Sequence, residues 1–271
     1  MSVSPGDRAS EERADTAAPV PDIVIEPDAD RLARAAAEAL VARLAAAQAV
    51  HGTASVVLTG GGIGIAVLER VADLAAEPVR ETVDWTAVDV WWGDERFVPA
   101  DDAERNERQA REALLDAVGV PAERVHAMPP SDGAFAEPEE AAAWYAEQLA
   151  AAAPEGHDLP RLDLLLLGMG PEGHTASIFP DSPAVRDERP VLAVRDCPKP
   201  PPTRISLGFR AINSAEEIWL LVSGEGKAPA VAQALGGAEP EQLPVAGVQG
   251  TRATRWLLDA AAAAELPRPG S

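Results

Sequence analysis

Cysteine is almost missing: Cys197 is the only one in 271 residues. That excludes a disulfide framework and a thiolate metal cluster, and it fits a reducing compartment. Basic residues are scarce, 23 against 44 acidic ones, for a net charge of -21. Such a balance argues against a broad nucleic-acid surface and against an acidic membrane face. A small anion is still permitted, because one or two local cations and a helix N-terminus suffice to hold a phosphate. No long apolar run marks a signal peptide or a membrane span. Met1–Pro21 has mixed charge and no apolar centre, so residues 1–21 read as a disordered polar leader. Residues 267–271 read as a loose tail. No internal repeat is visible.

What remains is a globular chain, 46% apolar with much of that alanine. A chain of this length can bury roughly three quarters of its extended surface, which allows one large domain or two closely packed small ones; residues 22–266 read as a single domain. Short apolar runs at Ile23–Ile25, Ser55–Leu58, Val88–Trp92, Leu164–Leu167, Val191–Val194 and Ile218–Val222 read as strands, and Arg204–Phe209 alternates like a half-buried one. Between them lie helical stretches. Leu32, Ala36, Leu40 and Leu44 recur at helical spacing after Asp28 and Asp30. Further helices are expected over Ile65–Leu74, Asn106–Val118, Glu137–Ala153, Ala228–Leu235 and Trp256–Glu265. Strand alternating with helix predicts an α/β fold, a three-layer αβα sandwich with a mostly parallel, Rossmann-like sheet.

Chemistry gathers where these strands end. Leu164–Leu167 runs into Gly168-Met-Gly170-Pro-Glu-Gly173, and His174-Thr-Ala-Ser177 then opens what reads as a helical turn. A buried strand ending in a glycine-rich turn is where an open parallel sheet presents its ligand site. For Gly168 and Gly170 alone an ordinary turn is the alternative. Thr59-Gly60-Gly61-Gly62 follows another strand and precedes a helix, an arrangement whose N–H groups can cradle phosphate. It is no P-loop, since no Gly-Lys-Ser/Thr closes it, and it lacks a complete dinucleotide fingerprint. Gly93-Asp94-Glu95-Arg96 puts three charges directly after a strand, either a functional loop or a surface Glu–Arg pair. No His/Cys/carboxylate spacing suggests a metal site. His51, His126 and His157 read as surface or structural histidines. A G-x-S-x-G elbow is absent, which weakens a covalent role for Ser177.

Taken together, Trp92-Gly-Asp-Glu-Arg96, Leu166-Leu-Gly-Met-Gly-Pro-Glu-Gly-His-Thr-Ala-Ser177, Pro201-Pro-Thr-Arg204-Ile and Ser223-Gly-Glu-Gly-Lys227-Ala resemble the 6-phosphogluconolactonase family, which is related to glucosamine-6-phosphate isomerases/deaminases. The likeness spans about Ile23 to Trp256 and extends to Leu257-Leu258-Asp259. It departs at Thr59–Gly62, where many members carry a second hydroxyl and a proline. The resemblance implies a cytoplasmic hydrolase of the pentose phosphate pathway that opens 6-phospho-D-glucono-1,5-lactone and needs no cofactor. Its partner is a small-molecule sugar phosphate, with no nucleic acid and no membrane, in a monomer or weak homo-oligomer. His174 is then the general base. Glu172 and Asp94 orient it or position water, and Arg96 either faces the oxyanion or pins Asp94. Arg204, Lys227 and the Thr59–Gly62 loop meet the phosphate, and Ser177 bonds to backbone or phosphate. Three alternatives stay open: a sugar-phosphate isomerase/deaminase, a non-catalytic sugar-phosphate-binding protein, and a dinucleotide oxidoreductase.

Overall fold

The computed structural model describes residues 21–76 and 83–267. The expected leader and tail lie outside these, except for Pro21 and Pro267. Six strands form one parallel sheet in the order β1-β9-β8-β5-β2-β3. They are β1 (Asp22–Glu26), β2 (Ala54–Leu58), β3 (Val88–Trp92), β5 (Leu164–Gly168), β8 (Glu217–Val222) and β9 (Ala253–Asp259). A separate antiparallel sheet joins β4 (Asp94–Arg96), β7 (Arg204–Leu207) and β6 (Val191–Val194) in that order. The expected mostly parallel α/β architecture is therefore present.

Helix α1 (Ala29–His51) starts where Asp28 accepts a hydrogen bond from the Arg31 N–H at 2.8 Å, and it stops at Gly52 with φ 76°. Its buried face contains Leu32, Ala36, Leu40 and Leu44, the residues whose spacing announced it. Helix α2 (Gly62–Ala75) packs against α1. Both belong to connections stepping toward β3, and right-handed crossovers put such connections on one face of the sheet. The expected helix over 106–118 is one kinked element: α3 (Asn106–Ala110), a π turn (Arg111–Leu115) and α4 (Asp116–Val118), lying against α2. Helix α5 (Pro138–Ala151) covers β6 and β7. The short α6 (Phe209–Ile212) follows β7, and α7 (Ala228–Leu235) follows β8. The β5-to-β8 and β8-to-β9 connections step the other way, so the second sheet and α7 belong to the opposite face.

One expected helix is wrong. Trp256–Glu265 is not helical: Trp256, Leu257 and Leu258 lie in β9, and turns follow Asp259. β9 is paired on both sides, with β1 and β8. Its first half mixes half-buried Ala253 and Arg255 with buried Thr254 and Trp256, its apolar run is only Trp256–Leu258, and the alanine run after Asp259 mimics a helix.

The chain order also locates the site. From β2 the chain moves outward to β3, then returns to β5 and proceeds the other way to β8 and β9. β2 and β5 are thus neighbours across a reversal of direction, where ligands enter an open α/β sheet at the strands' carboxyl ends. Their pairing is short, Val56 with Leu164 and Val57 with Leu165. Thr59 and Gly168 then begin the two glycine-rich loops.

Candidate active site

A cleft of about 510 Å³ opens at this point, lined by Gly60–Gly62, Gly168, Met169 and Lys227 among others. Helix α2 begins at Gly62 without a side-chain cap and without an acidic residue in its first turn. Its first intrahelical bond runs from the Ile65 N–H to the Gly61 carbonyl. The earlier N–H groups therefore lack a helical acceptor and bring the positive end of the helix dipole to the cleft. Thr59 does not offer its hydroxyl to a ligand as expected. It is buried, and its Oγ1 accepts from the Gly168 N–H at 3.3 Å, tying the two loops together. Gly60 has to be glycine: a Cβ there would lie 2.0 Å from Asn106 Oδ1.

On the β5 loop, His174 Nδ1 lies 2.9 Å from Glu172 Oε1. Glu172 also accepts from Lys199 Nζ, at 2.8 Å and 2.9 Å on its two oxygens. Burial pushes the Glu172 carboxyl up, but the Lys199 ammonium, its own backbone and His174 outweigh this and hold it at about 2. An ionised Glu172 makes Nδ1 the protonated nitrogen and leaves the lone pair on Nε2. His174 itself is pulled below the ordinary imidazole value, first by burial and then by Lys199, against the upward pull of Glu172 and Asp94. Its ring stacks on Phe179 with centroids 4.5 Å apart, and the Arg204 guanidinium sits 5.9 Å from the centre of the same ring.

The 174–177 segment is not a helical turn. Thr175 and Ile178 form an antiparallel bridge, and Ala176 between them has φ 48°. This tight reversal buries Ser177, whose Oγ donates to Asp94 Oδ2 at 2.7 Å and whose N–H donates to Ser206 Oγ at 3.1 Å. Ser177 is therefore a buttress, out of reach of a phosphate. Asp94 is buried too, 3.8 Å from Arg204 Nη1. Arg96 does not pin it: Arg96 donates to the Glu104 carbonyl instead. Arg204 forms the floor of the site. Its Nε and Nη2 donate to the carbonyls of Pro201, Lys199 and Pro200, so the cation shapes the proline-rich loop that presents Lys199. Lys227 Nζ donates to the Met169 carbonyl. Burial first, then Lys199, lowers its affinity for a proton, against Glu172.

Lys199, Phe179 and Asn106 were not foreseen. Lys199 had a signal: the whole chain contains two lysines, Lys199 and Lys227, and both stand here. Asn106 gave none, because its role comes from tertiary packing. It is 2% exposed and its Nδ2 donates to the Asp94 carbonyl at 2.8 Å. Glu95 turns away from the site, is fully buried, and accepts from the N–H groups of Arg96, Asn106 and Glu107. His126 stacks on Trp91 with centroids 3.8 Å apart, a packing role as expected. His51, Asp163 and Glu216 are the one group among the described residues with metal-like spacing. Arg161 and Arg43 already hold the two carboxylates at 2.9 Å and 2.8 Å. Asp163 and Glu216 also precede β5 and β8, at the sheet end opposite the cleft.

A strand-end crevice with a half-buried carboxylate–imidazole pair, two nearby lysines and unpaired helix N–H groups has the chemistry to receive an anion and move a proton. Residues 27–256 match the model of the glucosamine-6-phosphate isomerases/6-phosphogluconolactonase family, and the chain belongs to that family. Within it, the chain is 52% identical over 252 residues to a Streptomyces coelicolor protein named 6-phosphogluconolactonase, covering 92% of this chain and 95% of the relative. A Mycobacterium tuberculosis protein of the same name is 53% identical over 247 residues, with 90% and 98% covered. The solved 6-phosphogluconolactonase of Trypanosoma brucei superposes with a TM-score of 0.77 at 28% identity, covering 91% of this chain and 99% of that one.

Proposed function

We infer that this chain hydrolyses 6-phospho-D-glucono-1,5-lactone to 6-phospho-D-gluconate, the lactonase step of the oxidative pentose phosphate pathway, with His174 as general base. The observation that carries the chemistry is the His174–Glu172 pair, 2.9 Å apart, with Lys199 on Glu172 and beside a cleft lined by Lys227. The Glu172 carboxylate keeps the proton on Nδ1, so Nε2 takes the proton from water as its oxygen attacks the lactone carbonyl. The developing oxyanion needs donors, and we assign the role to nearby N–H groups and the Arg204 cation. When the carbonyl reforms, the bond to the ring oxygen breaks and that oxygen takes the proton back from the imidazolium. The glycine loop, Lys227 and Lys199 are assigned to the phosphate. Burial pulls the Lys227 pKa below the ordinary lysine value, and a bound dianion opposes that pull. The setting we propose is cytoplasmic, with the protein a monomer or weak homo-oligomer; among the described residues no helix is long and apolar enough to cross a membrane.

His174→Asn tests the assignment. It keeps a polar side chain but cannot accept a proton near neutrality. A general base contributes about 10²–10⁴-fold, so kcat on the phosphorylated lactone, corrected for spontaneous opening, falls at least a hundredfold by this estimate, while 6-phosphogluconate binding changes little. A variant that turns over within a few-fold of the parent removes His174 as the base. Because the family name covers two activities, fructose 6-phosphate plus ammonia is the control substrate pair, and we expect no turnover of it.

A further inference from the structure

Asp259, the last residue of β9, is a carboxylate without a place in the reaction. It is 5% exposed, and the side chain collects donors from two directions. Ser223 Oγ donates to Oδ2 at 2.7 Å, and the Gly224 N–H donates to both oxygens at 3.0 and 3.1 Å. The Ala262 N–H donates to Oδ1 at 2.7 Å. Burial would raise its pKa, but these hydrogen bonds outweigh it and hold the group ionised below the usual carboxylate range.

The sheet register explains the meeting. Val222 pairs with Leu258, so the residues leaving β8 and β9 come side by side at the carboxyl edge, and the β8 exit is the loop that delivers Lys227. Gly224 takes φ 99°, a conformation only glycine adopts without strain, although a Cβ there would touch nothing within 4 Å. The Lys227 N–H then closes on the Gly224 carbonyl at 3.0 Å. That bond and the single 3-10 turn Glu225–Lys227 hold the segment's end, and the carboxylate on the next strand anchors its beginning at Ser223 and Gly224.

We propose that Asp259 is a positioning residue for substrate binding: it clamps the Ser223–Gly224 turn so that Lys227 is held at the phosphate end of the cleft. This rests on the assignment of Lys227 to the phosphate. A purely structural anchor for the end of β9 would lower stability without selecting one kinetic constant or one substrate. A clamp acting through Lys227 raises KM for the phosphorylated lactone, leaves kcat nearly alone, and has no further effect once Lys227 is gone.

The test is steady-state kinetics of the full chain on phosphorylated and unphosphorylated gluconolactone, with thermal unfolding beside it. The variants are Lys227→Ala, Asp259→Ala, Asp259→Asn, Ser223→Ala and the Lys227→Ala/Asp259→Ala pair. For Asp259→Ala, which loses a set of charge-assisted bonds, KM for the phosphorylated lactone rises about tenfold with kcat within about twofold. Asp259→Asn can still accept from Gly224 and can donate to Ser223, so it recovers most of the loss. Ser223→Ala, which removes one bond, gives about a threefold rise. The double variant has the KM of Lys227→Ala alone, because the two act as one unit. Hydrolysis of the unphosphorylated lactone does not follow these changes. If Asp259→Ala does not fold, Asp259→Asn and Ser223→Ala carry the test. The proposal is overturned if Lys227→Ala raises KM while these variants shift only the unfolding temperature, or if the two losses multiply in the double variant. If Lys227→Ala leaves KM at the parent value, the phosphate assignment falls and the clamp falls with it.

Discussion

Replacing Glu172 by glutamine removes one charge and almost no volume, and the geometry turns that change into a conflict. One carboxylate oxygen now serves both His174 Nδ1 at 2.9 Å and Lys199 at 2.8 Å, while the other serves Lys199 at 2.9 Å. A glutamine has one acceptor. Placed to satisfy His174, it turns its NH₂ toward the Lys199 ammonium. Flipped to satisfy Lys199, it points NH₂ at Nδ1 and favours the tautomer with the proton on Nε2, which cannot act as base. A charged hydrogen bond is worth about 1.5–3 kcal/mol. Glu172 is about a third exposed, so solvent screening moves the expected loss to the lower part of that range, about ten- to thirtyfold in kcat. The pH profile supplies a second readout. His174 must be neutral to accept a proton, so kcat/KM rises with pH through its ionisation. Burial already sets that ionisation below the ordinary imidazole value, and Glu172 is the largest of the groups pulling it back up. Without the carboxylate, and with the Lys199 charge uncompensated, the rising limb moves to lower pH. The assay is proton release from fresh phosphorylated lactone across a pH series, corrected for spontaneous opening and repeated in the His174→Asn background, where Glu172→Gln should add nothing. A parent-like kcat with an unmoved limb would refute the pairing as the source of the base.

Gly60→Ala places a methyl 2.0 Å from Asn106 Oδ1, and the bond from Asn106 to the Asp94 carbonyl prevents retreat. We expect about 1–3 kcal/mol of destabilisation with a raised KM, read by thermal unfolding and kinetics, and parent-like values for both would show that the loop yields freely. Glu95→Ala strips the acceptor from three N–H donors and leaves Arg105, 1% exposed and 3.7 Å from the carboxylate, without that partner. The expected cost is about 3–5 kcal/mol in denaturant unfolding, and a cost under 1 kcal/mol would contradict it. Treatment with a strong chelator followed by dialysis should leave turnover intact; activity that vanished and returned with a divalent ion would displace the metal-free base.

The parts of this molecule that follow from local sequence were legible, and those that depend on long-range packing were not. Strands β2, β5 and β8 are short apolar runs ended by glycine or polar residues, and α1 carries its cap, its apolar stripe and its glycine stop in order. The loops that bear the chemistry follow those strands, so the neighbourhood of His174 and the glycine loop could be read directly. β9 could not, because its apolar run is only Trp256–Leu258 and the five alanines after Asp259 continue it as a helix would. Ser177 was misplaced for a different reason. Whether a hydroxyl beside a catalytic histidine faces ligand or core is decided by Asp94, 83 residues earlier. Lys199 sat in a proline-rich run that forms no regular element, and its partner Glu172 lies 27 residues away.

Charge shows how these local and distant choices combine. The chain carries a net charge of -21, so its overall field repels a phosphate dianion. Screening limits that field to roughly 8 Å at physiological ionic strength, and inside the cleft the nearest groups decide. Lys227 and the first N–H groups of α2 line it, and Lys199 and the Arg204 guanidinium stand on the adjoining His174 side, against Glu172 and Phe179. Of the carboxylates near them, Glu172 is committed to Lys199 and His174, Asp94 to Ser177 and Arg204, and Asp30, which lines the cleft with Glu69, to Arg70. An acidic protein can therefore hold a phosphorylated sugar without a basic surface, provided the few cations are fixed. Arg204 holds the carbonyls that shape the Lys199 loop, and Asp259 holds the turn that delivers Lys227. On this reading the selectivity of the site lies less in how many cations it has than in the uncharged and acidic groups that keep them in place.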